Sequence, residues 1–163
     1  MEIPLLAFIF QGIPEHIAFV TFSFALAKIT LKWSKIISFG VILAFITYFI
    51  RMLSPTFGVH TIIVMGMLFI FLVQTCDVTI ITALRTALLA VLTLIITETT
   101  SLYLLTRLFD KSYEMLNENI VERIVLTWPQ ILILFLLSFI IITWRRRKGK
   151  ANESFRNKSA HLR

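Results

Sequence analysis

The chain has a single cysteine, Cys76, which excludes an intrachain disulfide and a cysteine-based zinc site. It reads as a small residue at the end of a membrane helix. Charge is scarce within five long apolar runs, and none of them alternates apolar with polar residues, so a membrane β-barrel is excluded. HExxH spacing, phosphate loops and dinucleotide fingerprints are missing as well. The membrane serines and threonines lack an activating motif for nucleophilic chemistry. No enzyme is expected, and no cofactor.

What is present is apolar length. Hydrophobic residues make up 58% of the 163, above the roughly 45–50% of soluble domains, and the mean hydropathy is +0.87. A hydrocarbon core of about 30 Å needs roughly 20 helical residues to cross it. The runs therefore predict an all-α membrane protein, a bundle of about five transmembrane helices near residues 3–27, 36–53, 57–74, 84–106 and 124–144. The fourth run, Val78 to Leu105, would extend about 42 Å. Its first turns are expected at the membrane surface, with Asp77 as N-cap and Arg85 on the flank.

The N-terminus carries Glu2 where a secretory signal carries Lys or Arg, and no small-residue cleavage site follows, so the first segment is expected to be retained. The net charge of +7 reads as topology rather than nucleic-acid binding, because the basic residues sit at run ends and in the tail. Lys28, Lys32 and Lys35 fill the first connection, and Trp144 precedes a cluster from Arg145 to Lys150. Five crossings place both on one face, which the positive-inside rule makes cytoplasmic, with the N-terminus outside. The expected location is a bacterial inner membrane, and the expected partners are the lipid bilayer, an extracellular ligand and a membrane or cytoplasmic signalling protein.

The other face receives Ser54-Pro55 and the connection from Arg107 to Arg123, where Tyr113, Leu116 and Ile120 fall at the spacing of a short surface helix. Residues 145–163 read as a basic, disordered cytoplasmic tail. The glycosylation patterns at Asn152 and Asn157 fall inside it and carry no meaning there.

The few polar residues inside the runs gather toward the outer side. Gln11 and Glu15 share a face of the first helix, with His16 beside them. Thr47 and Arg51 stand four apart near the outer end of the second. By helical rise, His60 lies about 7 Å inside from Pro55, Glu98 about 13 Å inside from Arg107, and Gln130 about 10 Å inside from Arg123. Gly12 and Pro14 predict a kink or break in the first helix. Ionisable groups at such depth are costly and usually face the bundle interior. Gln11, Glu15, His16, Arg51, His60, Glu98 and Gln130 therefore form a candidate polar cluster, either a ligand pocket, a proton path or a helix-packing network.

Gln11-Gly12-Ile13-Pro14-Glu15, the lysine-rich turn, Arg51 before Pro55, and Phe57-Gly58-Val59-His60-Thr61 together resemble the membrane-sensor region of Firmicutes histidine kinases of the accessory gene regulator C type. The resemblance covers roughly the first 145 residues. It implies recognition of an extracellular signal, often a peptide, by membrane helices and outer loops. No phosphoacceptor helix or ATP-binding box follows Thr143, so the expectation is a sensor region whose output passes through a partner. The rival expectations are a small transporter using Glu15 and Glu98, and a structural or assembly subunit.

Overall fold

The computed structural model describes residues 5–53, 59–109 and 120–160. Among these, every element is helical: α1, Leu5–Leu26; α2, Trp33–Leu53; α3, Val59–Cys76; α4, Ile80–Phe109; and α5, Ile120–Ala160. Leu5–Leu26, Trp33–Ile50, Ile80–Leu104 and Thr127–Lys148 are long and apolar enough to cross a membrane, while the apolar stretch of α3, His60–Cys76, is shorter.

α1 is the central helix, packed against α2, α4 and α5. Its residues from Ala18 to Ala25 are all buried, and the two hydroxyls among them are satisfied within the helix. Thr21 Oγ1 donates to the Ile17 carbonyl at 2.7 Å and Ser23 Oγ to that of Phe19 at 2.8 Å, so neither is left unpaired in the core. α2 approaches α1 closely at Gly40, where an added Cβ would lie 2.9 Å from Ile17 Cγ1 and 3.0 Å from its Cα. Only glycine fits this crossing without displacing backbone.

Aromatic packing differs along the bundle. Phe39 stacks on Phe71 with centroids 3.6 Å apart and planes 6° from parallel, and Phe24 lies 6.2 Å from Phe71. At the opposite end, Phe8 meets Phe45 and Tyr48 at 4.9 and 4.8 Å.

The basic residues tie helix ends together. Lys35 Nζ donates to the Thr75 carbonyl at 2.6 Å, and the Arg145 guanidinium reaches the Ala25 and Lys28 carbonyls at 3.5 and 3.3 Å. Cations there complement the negative helix C-termini. The two basic clusters consequently share one end of the bundle.

Three local expectations are corrected. Of the kink or break expected at Gly12 and Pro14, the break does not occur; α1 widens into a π-helical turn over Phe8–Gly12, closed by Ile13 N–H donating to the Phe8 carbonyl. A proline ring crowds the preceding turn and its nitrogen cannot donate; widening that turn accommodates both constraints without ending the helix. Asp77 does not cap α4, because its φ of 52° is left-handed and the helix starts at Ile80. Thr79 takes that place, its carbonyl accepting from Ala83 N–H at 2.9 Å and its hydroxyl donating to Thr82 Oγ1 at 2.9 Å.

Third, the segment expected to be a disordered tail continues α5 to Ala160. Each residue added to an existing helix gains a hydrogen bond without a new nucleation cost, so Gly149 alone does not stop it. The surface helix expected around Tyr113 and Leu116 lies outside the described residues; Ile120 opens α5.

Candidate functional site

The wide turn of α1 sets the site. Gln11 lies on it, buried, and its Oε1 has no hydrogen-bond partner among the described residues. One turn further on, Glu15 and His16 leave α1 toward different neighbours. His16 Nδ1 lies 2.8 Å from the Gly12 carbonyl and Nε2 lies 2.9 Å from Thr47 Oγ1 on α2. A carbonyl can only accept, so Nδ1 carries the hydrogen, and in the neutral ring Nε2 accepts from the threonine hydroxyl. The imidazole thus joins the backbone beside Pro14 to the second helix.

Glu15 faces α5. Gln130 Nε2 donates to Glu15 Oε1 at 3.3 Å, and the Gln130 side chain is buried. Gln130 directly follows Pro129, which lies inside α5.

His60 on α3 and Glu98 on α4 meet Glu15, His16 and Thr47 around a single cavity of about 30 Å³, closed on its apolar side by Val64, Val91, Leu94 and Ile95. His60 Nε2 lies 3.3 Å from the hydroxyl of Thr61, which also lines the cavity. Such a space suits about one water, far below the roughly 300–1,000 Å³ of a small-molecule pocket. Among the described residues, the side-chain pairs His16–Thr47 and Glu15–Gln130 reach across between helices beside this space.

Glu15, His16, His60 and Glu98 share the cavity, Gln130 joins it through Glu15, and Gln11 stands one turn away on α1. Arg51 belongs to α2, but its side chain lies outside the described residues. The residue that sequence reasoning undervalued is Thr47. Its signal was present, since a threonine four positions from Arg51 in an apolar helix is a natural interhelical donor, but nothing along one helix says which neighbour it meets. Among the described residues no group of three or more His, Cys, Asp or Glu side chains could hold a metal ion.

Fold and site together define an all-helical protein of membrane type with a polar node linking its helices. No protein-family model matches the chain, and neither curated proteins nor solved structures provide a match.

Proposed function

We propose that this chain is a five-span bacterial inner-membrane protein, N-terminus outside and C-terminus cytoplasmic, that takes part in signal reception or its modulation through a partner. The role is not enzymatic. The observation that carries this reading is the position of Gln130: it holds Glu15 of the central helix, and it stands on the helix that, among the described residues, continues beyond the basic end of the bundle, to Ala160. A change at the node therefore has a continuous helical path to the side where a partner would sit. A node of paired groups around a water-sized gap also suits a two-state element better than a ligand pocket.

The test begins with topology. In a Cys76→Ser background, cysteines placed within residues 110–122 label from outside intact cells, and cysteines after Arg147 label only after permeabilisation. In the native host, Gln130→Leu then alters response-regulator phosphorylation on phosphate-affinity gels while the purified variant remains folded. Unchanged phosphorylation would remove the signalling role.

A second reading draws on the two carboxylates and two imidazoles around the cavity, a set suited to moving protons in a small transporter. It expects wild-type proteoliposomes to dissipate a pH gradient and Glu98→Gln to stop this without unfolding. If both Gln130→Leu and Glu98→Gln leave signalling and proton flux unchanged, the node serves packing alone, as in a structural or assembly subunit.

A further inference from the structure

The basic end of the bundle contains more cations than its helix ends use. α1 terminates in a turn in which Ile29 N–H donates to the Phe24 carbonyl at 3.1 Å and Lys28 N–H to that of Ala25 at 3.4 Å, with Lys28 at φ 62°. This is the Schellman pattern, and it fixes Lys28 at the rim with its side chain exposed. Arg145 then stitches α5 to the same turn through the Ala25 and Lys28 carbonyls. Arg145 and Lys35 are thereby committed to backbone, and Lys148 lies 4.0 Å over the Trp144 ring.

Lys28, Lys32, Arg146 and Arg147 remain exposed, with no ion pair among the described residues. They belong to two elements held together by Arg145. Trp33 and Trp144, 53% and 59% exposed, flank them, and apolar spans begin directly beside them. Aromatic side chains at that level anchor to the headgroup region of a bilayer. A basic corner so placed meets lipid phosphates before any soluble polyanion.

We propose that this corner, where the α1–α2 turn meets the base of α5, binds the phosphate headgroup of an anionic phospholipid. It is a discrete site built by the capped turn and Arg145, beyond the diffuse attraction that any basic loop has for an acidic leaflet.

The full chain is reconstituted in nanodiscs of phosphatidylcholine with about one-tenth phosphatidylglycerol, and retained lipid is read by native mass spectrometry. The wild type retains phosphatidylglycerol saturably. Lys28→Gln/Lys32→Gln and Arg146→Gln/Arg147→Gln each lower its retention at least threefold. Arg85→Gln/Arg107→Gln, which removes the same charge elsewhere, leaves it unchanged, and Lys28→Arg/Lys32→Arg restores it. Equal loss in the Arg85/Arg107 variant, or no loss in the other two, overturns the site. Displacement of the lipid by millimolar inorganic phosphate would assign the corner to free phosphate instead and also overturn it. Circular dichroism of each variant confirms that a loss is not unfolding.

Discussion

The two ends of this bundle are held together by different means. At the basic end, Phe24, Phe39 and Phe71 pack ring on ring, and cations close the helices against backbone carbonyls. At the other end, the contacts that cross between helices include side-chain pairs, His16 with Thr47 and Glu15 with Gln130, around a gap of about 30 Å³. In lipid, apolar burial gives little drive for helices to associate, so close packing and hydrogen bonds do the holding. Packed rings have one good arrangement, whereas polar pairs can exchange partners or admit water. Rings also pack at the polar end, Phe8 against Phe45 and Tyr48, so what sets that end apart is its polar pairs, and these are suited to switching where the basic end is suited to staying fixed.

The largest effect is expected at the crossing between the two ends. Gly40→Val places methyl groups against Ile17 backbone atoms that cannot move aside, and overpacking of this kind costs about 3 kcal/mol. It separates α1 from α2 and lowers the melting temperature in detergent more than Phe71→Ala, Thr47→Val or Lys35→Met. A melting temperature unchanged by Gly40→Val would show that the α1–α2 crossing is not fixed by contact at Gly40.

Phe71→Ala follows. The lost ring contacts cost about 2 kcal/mol, less than the 3–5 kcal/mol of a soluble core because lipid tails replace part of what is lost. Steady-state unfolding in a denaturing detergent measures it, and a loss smaller than that of Thr47→Val would invert the comparison between the ends.

Thr47→Val keeps the shape and removes the donor to His16, at about 0.6–1.7 kcal/mol. Its distinguishing readout is local. Cysteine cross-linking between α1 and α2 near residues 16 and 47 becomes less efficient, while cross-linking near Phe39 and Phe71 does not change. Lys35→Met is the smallest, at about 0.3–1 kcal/mol for one exposed cation at a helix C-terminus, and the loss shrinks further in high salt. A loss that persists at about 1 M salt, where charge is screened within a few ångströms, would mean that Lys35 acts through packing of its stem.

The helices were legible because each apolar run is long and unbroken, and the cluster was legible because polar residues in such runs are rare enough to count. Its pairings were not. Spacing along one helix gives depth and face, but the Glu15–Gln130 and His16–Thr47 bonds depend on how helices cross, which no single run encodes. Pro14 signalled a disturbance but not its form, since a missing donor can be met by breaking a helix or by widening it, and α1 widens. Asp77 was a reasonable cap by residue type, yet its left-handed backbone leaves the capping position to Thr79. The basic run from Arg145 read as the end of a structured region because charge ends a membrane span; it does not end a helix.

Arg145 stands midway between Gln130 and Ala160 on α5. By helical rise, Gln130 lies about 22 Å to one side of it and Ala160 about 22 Å to the other. With the guanidinium held on the α1–α2 turn, this stretch of α5 is a balanced lever with its fulcrum at that turn. A rigid tilt of about 5° would carry Gln130 and Ala160 about 2 Å in opposite directions on those arm lengths. That stroke is enough to part Gln130 from Glu15, now 3.3 Å away, and it arrives at Ala160 neither magnified nor diminished.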